Sequence, residues 1–270
     1  MEAILKYYLE DGHLESIKNY TKDSKEKGQI IYEVIRVIDR APLFYEDHIK
    51  RLESSFRLME KVFSYKYDKI KEYLIKIIEA NDVGCGNIKL TFDIKNDTMK
   101  VFSIKHSYPS EDMYKSGIKT ILYHGERTNP NAKVVDGDFR KKVTDEITKA
   151  NAFEAILVNS QGFITEGSKS NIFMIKEGKL YTSPLEDVLP GVTRGKIISL
   201  AKSLGIDFEE NKISFKDVKE LDSMFISGTS PKILPISKVN DINLDVNNEM
   251  MQKLMKKFDE EIKNYINKFR

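Results

Sequence analysis

The chain has 270 residues, of which 40% are hydrophobic and 10% aromatic, enough to form a buried core in one large domain or two modest ones. Its 44 Lys and Arg residues nearly balance its 42 Asp and Glu residues, so the charge gives no support for nucleic acid or a membrane as partner and favours a small ligand. The single cysteine, Cys85, excludes an intramolecular disulfide and a cysteine-based metal cluster.

The apolar runs of the sequence are short. "AILV" and "IFMI" are far below the length that spans a bilayer, and the first residues, "MEAILKYYLEDG", lack the basic and then apolar pattern of a signal peptide. We therefore expect a soluble, cytoplasmic protein.

The first part of the chain predicts a mixture of strands and helices. Residues 29–37, "QIIYEVIRV", follow Gly28 and form a nearly continuous apolar strand. Two amphipathic helices are predicted next, in residues 43–63 and 67–81, because apolar residues recur there every three or four positions. Two further strands follow, in residues 87–95 and 99–107.

A change of pattern at residues 107–117, "SYPSEDMYKSG", predicts a domain boundary. We expect a small N-terminal domain over residues 1–112 and a larger C-terminal domain over residues 117–270. The second domain is predicted to contain these elements: a strand at 118–124, a helix within 135–152, three short strands through 183, a helix at 191–206 ended by Gly205, a strand pair within 222–239 and a helix at 251–269. We expect the Met-rich stripe of the last helix to pack against the domain.

Common catalytic motifs do not occur. The sequence contains no GxSxG, no HxxxH or CxxC, and no glycine-rich nucleotide loop, so a nucleophilic hydrolase, a metal site and a nucleotide site of these types lack support. The four histidines are isolated from one another in the sequence: His13, His48, His106 and His124.

Several weaker features suit an anionic ligand. "LPGVTRGK" at 189–196 is a turn that enters a helix, and "ISGTS" at 226–230 is a turn of small hydroxylated residues. Arg51 lies three residues after His48, on the same side of a predicted helix. Glu166 lies in the polar turn predicted between the two apolar strands of residues 151–175, where a carboxylate is usually solvated.

In order and spacing, five segments resemble the fold-type IV enzymes that use pyridoxal 5′-phosphate (PLP), the aminotransferase class IV family. This family includes branched-chain and D-amino-acid aminotransferases and aminodeoxychorismate lyases. The resemblance runs from about residue 28 to 240 and implies an α+β, two-domain fold similar to D-amino-acid aminotransferase, with PLP on the larger domain. The segments are "IYEVIRV", "HIKRL", "FEAILV" followed by "TEGSKSNIF", "LPGVTR" and "FISGTSPKILP".

The resemblance implies a catalytic lysine that holds PLP as a Schiff base. In family members this lysine lies a little over thirty residues before the glutamate of the TEG segment, and counting back 33 residues from Glu166 leads to Lys133. We expect Lys133 to bind PLP and to move the α-proton of the substrate. Glu166 matches the carboxylate that contacts the pyridine nitrogen and keeps it protonated.

The resemblance also implies contacts to the phosphate. Arg51 matches a phosphate-binding arginine, the backbone amides of Val192 and Thr193 match a phosphate-binding helix N-terminus, and Thr229 matches a phosphate-binding hydroxyl.

The ring and the substrate have matching residues as well. Leu189 matches a leucine that packs on the cofactor ring. Tyr32 lies where an aromatic residue lines the substrate side, and Ser230 lies where a backbone amide meets the substrate carboxylate.

The chain departs from its relatives on the substrate side. Residues 87–106 lack the arginine that branched-chain and D-amino-acid enzymes use on the substrate carboxylate, and the cations nearby are Lys89 and Lys105. Where relatives have a glycine-rich approach to the first segment, this chain has only Gly28.

Three functions stay open. We expect a PLP-dependent aminotransferase that acts on an amino acid and a 2-oxo acid, and Tyr32 favours it because the lyases tend to carry a small hydroxyl residue there. The missing arginine keeps an aminodeoxychorismate lyase, which releases pyruvate and 4-aminobenzoate, as the alternative. A non-catalytic PLP-binding protein is the third possibility. The resemblance implies a homodimer in each case.

Overall fold

The structure is a computed structural model that describes residues 2–23 and 29–269, so Gly28 lies outside the described residues. The chain is α+β, as expected, and forms two compact units. The first comprises Met1–Ser107, Ala132–Gly137 and Ile262–Arg270, and the second comprises Tyr108–Asn131 and Asp138–Glu261. The predicted division at residues 112–117 lies a few residues after Ser107, where the first segment of the first unit ends. The prediction also assigns residues 132–137 and 262–270 to the second domain, whereas the structure places them in the first unit.

An antiparallel sheet of six strands forms the first unit. The strands are β1 (Ala3–Glu10), β2 (His13–Ser16), β3 (Ile30–Ile38), β4 (Ala41–Pro42), β5 (Cys85–Asp93) and β6 (Thr98–Ile104), and the helices are α1 (Tyr45–Leu58) and α2 (Tyr67–Ala80). The strand order is β2-β1-β6-β5-β3-β4.

The two faces of this sheet differ because side chains alternate along each strand. Ile31 and Leu90 face the helices and share one core with Ile49 and Leu52 of α1. Each such buried side chain contributes about 1.5–3 kcal/mol to stability. Tyr32 follows Ile31 directly on β3, so its side chain projects from the other face of the sheet, as does that of Thr91, with which it pairs.

A nine-stranded sheet forms the second unit. The elements are α3 (Glu111–Ser116), β7 (Ile118–His124), α4 (Gly137–Lys149), β8 (Glu154–Val158), β9 (Ile164–Gly167), β10 (Asn171–Lys176), β11 (Lys179–Thr182), α5 (Val192–Ser203), β12 (Phe208–Glu210), β13 (Ser223–Gly228), β14 (Lys232–Val239), β15 (Ile242–Asn243) and α6 (Glu249–Phe269), whose residues from Ile262 onward belong to the first unit. The order is β12-β11-β10-β13-β14-β7-β8-β9, with β15 beside β14. Since β9 also pairs with β10, the strands from β10 to β9 close into a ring.

Most predicted elements are confirmed, with several differences, among them the short strands β4, β12 and β15, which have no counterpart in the prediction. The region predicted to hold three short strands holds four, because "ITEG" forms β9 by itself. Residues 111–116 form α3 inside the stretch predicted to be irregular, where the Ser110 side chain caps the helix by accepting from the Met113 amide. The hairpin of β1 and β2 has no counterpart in the prediction.

Two helix predictions are confirmed in detail. Gly205 follows α5 with a φ of 67°, a left-handed conformation that glycine adopts without strain. The apolar stripe of α6 packs against the protein, with Met251, Leu254 and Phe258 all buried. Among the described residues, no helix combines the length and the apolar character needed to cross a bilayer.

Candidate functional site

Lys133 is positioned in the first unit by its backbone. Its carbonyl accepts from the Tyr32 amide of β3 at 3.0 Å, and its amide donates to Ser55 Oγ of α1 at 3.1 Å. Val134 forms an antiparallel bridge with Ile31. The backbone of this segment is thus bound to a strand and a helix of the first unit.

The Lys133 ammonium lies against an aromatic ring. Its Nζ is 4.8 Å from the centre of the Tyr32 ring, within the range of a cation–π contact. Tyr32 itself is 7% exposed, so one side of the lysine side chain is shielded from water. The structure therefore brings two of the predicted site residues into contact.

Arg51 belongs to a buried charged cluster with Glu33 and His48. Its Nε and Nη2 donate to the two carboxylate oxygens of Glu33 at 2.7 and 2.6 Å, and His48 Nδ1 lies 2.9 Å from the same carboxylate. Burial acts to raise the pKa of Glu33, but the Arg51 charge and the hydrogen bonds from Arg51 and His48 outweigh it and lower this pKa to about 2.

The same cluster keeps His48 neutral. Burial lowers the pKa of His48, and the positive charges of Arg51 and Lys133 act in the same direction against the opposing effect of Glu33. Among the described residues, Arg51 Nη1 has no hydrogen-bond partner, so this donor is available to an anion.

Glu166 is a buried carboxylate of the second unit and not a solvated one. Its side chain is 4% exposed. Oε1 accepts from Arg127 Nη1 at 3.0 Å, and Oε2 accepts from the Leu189 amide at 3.0 Å. Donors to both oxygens fix the orientation of the carboxylate.

The strand register places further polar groups beside Glu166. Glu166 pairs with Asn171 across β9 and β10, and Asn171 pairs with Ser227 across β10 and β13. Ser227 Oγ is buried without a partner among the described residues. The turn after Ser227 contains the predicted site residues Thr229 and Ser230, both half-buried.

The turn that begins at Leu189 leads into the N-terminus of α5. The Leu189 carbonyl accepts from Asn171 Nδ2 at 2.9 Å, and Gly191 precedes the helix without a side-chain cap. Val192 and Thr193, the first residues of α5, are buried. An uncapped helix N-terminus presents backbone N–H groups and a partial positive charge, both of which suit an anion such as phosphate.

Glu154 supports the turn that follows Glu166. It is buried, and its Oε1 accepts from Ser168 Oγ at 2.8 Å and from the Lys169 amide at 2.6 Å. Burial raises the pKa of Glu154 despite these hydrogen bonds.

The predicted site residues fall into one group in each unit. Tyr32, Arg51 and Lys133 belong to the first, and the second contains Glu166, Leu189, Val192, Thr193, Thr229 and Ser230. Three residues that make these contacts have no motif that marks them: the buried Glu33 and Glu154 and the half-buried Arg127. The only signal for Glu33 is an acidic residue inside an apolar strand.

Comparison with known proteins identifies a matching family. Residues 30–239 match the family described as amino-transferase class IV. D-alanine aminotransferase from Listeria monocytogenes is 28% identical over 258 residues, which cover 87% of this chain and 88% of the relative.

Solved structures share the fold. The branched-chain amino acid aminotransferase of Escherichia coli superposes with a TM-score of 0.86 at 22% identity, covering 96% of this chain and 95% of that one. A candidate 4-amino-4-deoxychorismate lyase from Legionella pneumophila has a TM-score of 0.81 at 22% identity, covering 90% and 96% of the two chains. At this identity the likeness establishes the fold.

Proposed function

The chain belongs to the amino-transferase class IV family, whose cofactor is PLP, and from this premise we propose that it is an aminotransferase that moves an amino group between an amino acid and a 2-oxo acid. The observation that carries the proposal is the placement of Lys133. Its backbone is bound to β3 and α1, and its ammonium lies against the Tyr32 ring at 4.8 Å.

Features of the structure fit a phosphate-bearing cofactor. The N-terminus of α5 lacks a side-chain cap, and Arg51 keeps one guanidinium donor available after Glu33 has taken two. We propose that Arg51, the amides of Val192 and Thr193, and the Thr229 hydroxyl hold the phosphate, and that Leu189 packs on the ring.

The chemistry divides between the cofactor and two side chains. When bound, PLP withdraws electrons and so makes the α-hydrogen of the amino acid acidic. Lys133 would hold the cofactor through Nζ and would act as the base and acid that takes and returns the α-proton of the substrate. Glu166, held in place by Arg127 and the Leu189 amide, would face the pyridine nitrogen and keep it protonated.

An aminodeoxychorismate lyase is the second candidate. The structural likeness to the Legionella protein supports it, as does a β5–β6 hairpin without arginine. Tyr32 favours transamination. An aromatic residue at this position resembles the aminotransferases of the family, whereas the lyases tend to carry a small hydroxyl residue there.

We also propose that the protein is a cytoplasmic homodimer. The family resemblance supports the dimer, and the single cysteine suits a reducing compartment.

One set of measurements tests the function. The purified protein is expected to be yellow, with a visible band that is lost in Lys133→Ala, and to transfer amino groups from members of a panel of L- and D-amino acids to 2-oxoglutarate. Pyruvate release from aminodeoxychorismate without an amino acceptor would favour the lyase. A protein that takes up no PLP would contradict both.

A further inference from the structure

Lys89 is a buried lysine that the proposed function leaves unused. It lies on β5 and is only 8% exposed. Lysine is rarely buried without an anionic partner, because removing its charge from water is costly. The buried ammonium group of Lys89, on the sheet face that also carries Tyr32, therefore needs an anionic partner.

The sheet register brings Lys89 to the Tyr32 ring. Val34, two residues after Tyr32, pairs with Lys89, so both side chains project from the same face. Lys89 Nζ is 5.0 Å from the centre of the Tyr32 ring, and Lys133 Nζ is 4.8 Å from the same centre. Two ammonium groups thus share one ring, one of them on the proposed catalytic lysine.

Glu2 provides the anion for Lys89 in this structure. Its carboxylate forms an ion pair with Lys89 Nζ, although the Glu2 side chain is 43% exposed. The next residue, Ala3, is buried and pairs with Ile104 of β6, which holds the backbone near Lys89. The cation is therefore buried while its carboxylate partner can turn into water.

We propose that Lys89 binds a carboxylate group of the amino-acid or 2-oxo-acid substrate, and that Glu2 occupies this cation until the substrate displaces it. The proposal rests on the proposed function, since it takes Lys133 as the reacting lysine. It also assigns a cation to the substrate side, where the arginine of the relatives is missing.

The exchange is physically reasonable because the ion pair of Lys89 with Glu2 is weaker than the one it would form with a substrate carboxylate. An ion pair with a partly exposed carboxylate contributes little stability, so releasing Glu2 to water costs little. A substrate carboxylate that is itself removed from water at Lys89 gains a stronger, charge-assisted hydrogen bond. Lys89 keeps an anionic partner in both states.

Calorimetric titration with glutarate tests this binding directly. Glutarate carries two carboxylates but neither an amino nor a carbonyl group, so it binds without reacting. We expect Lys89→Met to weaken its binding to the PLP-loaded protein by about ten- to a hundredfold, the loss of a hydrogen bond to a charged group. Lys89→Arg should retain most of the affinity.

Two further variants sharpen the result. Glu2→Gln removes the internal competitor and is expected to tighten glutarate binding by roughly threefold or more. Lys105→Met changes an exposed lysine just after β6 and should leave the affinity unchanged. Because Glu2 is on the surface, Glu2→Gln tests the proposal even if Lys89→Met does not fold.

Kinetics identify which carboxylate is bound. If Lys89 binds a side-chain carboxylate, Lys89→Met raises the KM for 2-oxoglutarate and spares pyruvate, whereas a contact to the α-carboxylate raises both. Failure of glutarate to bind the wild type, or equal affinity in the wild type and Lys89→Met, would overturn the proposal. Failure of the proposed function differs from this, because it appears as a lack of PLP uptake.

Discussion

At the scale of single residues, the Glu33 carboxylate is buried in the first unit with 0% of its surface exposed. Its pKa of about 2 lies below the usual 4.5, so ionisation stabilises the fold fully above about pH 4.5, and this contribution is lost as the pH falls from 4.5 through 2. The cluster with Arg51 and His48 is the cause.

Glu33→Gln should therefore lower the free energy of unfolding by roughly 3–5 kcal/mol at neutral pH, because it leaves the Arg51 charge buried without its partner. The difference from wild type should shrink below about pH 4.5. Urea unfolding followed by circular dichroism at stepwise lower pH measures it. Glu79→Gln, on the exposed side of α2, is the control, and a difference that is constant with pH would contradict the argument.

Glu166→Gln tests the carboxylate that the resemblance assigns to the pyridine nitrogen. We expect turnover to fall by at least about a hundredfold, because a neutral amide no longer stabilises the protonated ring. Steady-state kinetics at saturating substrate measure this loss. Glu126→Gln, on an exposed residue next to Arg127, should leave turnover close to wild type, and unchanged turnover in Glu166→Gln would refute the role.

The hydrogen-bond partners of Arg51 and Glu166 could not be predicted from the sequence. Arg51 and Glu166 stand in segments that resemble a family, so the sequence alone is enough to propose them as site residues. Glu33 and Arg127 are recognisable only from the contacts that they make, and Arg127 reaches Glu166 across 39 positions of the chain. Local patterns of residues carry no information about such distant hydrogen bonds.

At the scale of elements, the N-terminus of α5 depends on close packing at Gly191. A methyl group there would overlap Asn171 Oδ1, although the φ of Gly191, −63°, is ordinary for any residue. The same Asn171 side chain donates to the Leu189 carbonyl. The turn, the asparagine and the helix N-terminus are therefore coupled through one contact.

Gly191→Ala is expected to lower the free energy of unfolding by about 1–3 kcal/mol through overpacking and to weaken PLP binding. Gly195→Ala is the matched control inside α5, since nothing lies within 4 Å of the added methyl. It should raise stability by about 0.5–1 kcal/mol, the usual gain from replacing glycine in a helix. Urea unfolding and absorbance titration with PLP measure both effects, and equal results for the two variants would contradict the coupling.

The predictability of elements follows from how they are stabilised. The long helices and β3 have a strong period of apolar residues, and the sequence predicts them within a few positions. The short strand β9 has four residues, too few for a period, and it exists through pairing with β8 and β10. Helix α3 depends on the Ser110 cap within a stretch that otherwise resembles a loop.

At the scale of the whole molecule, we expect a homodimer. The family resemblance implies this assembly, and Leu5, Tyr7 and Leu14 expose large apolar side chains on β1 and β2. Light scattering after size exclusion should give a mass about twice the 31.2 kDa of one chain. A mass of one chain at all concentrations used for activity would contradict the dimer.

The division into units shows where prediction from sequence ends at this scale. A change of composition near residue 110 predicts a domain boundary there. It does not reveal that residues 132–137 return to the first unit, because that return depends on backbone pairing with β3 and not on the composition of the segment.

This return of the Lys133 segment has a consequence for folding order. The hydrogen bond from Lys133 to Ser55 closes a loop of 78 positions, and the pairing with β3 closes a longer one. Closing such loops costs conformational entropy before any contact compensates for it, so contacts of this kind form late. We infer that on refolding the helices and the β5–β6 hairpin form first, and that the capacity to bind PLP through Lys133 returns only after the bulk of the secondary structure.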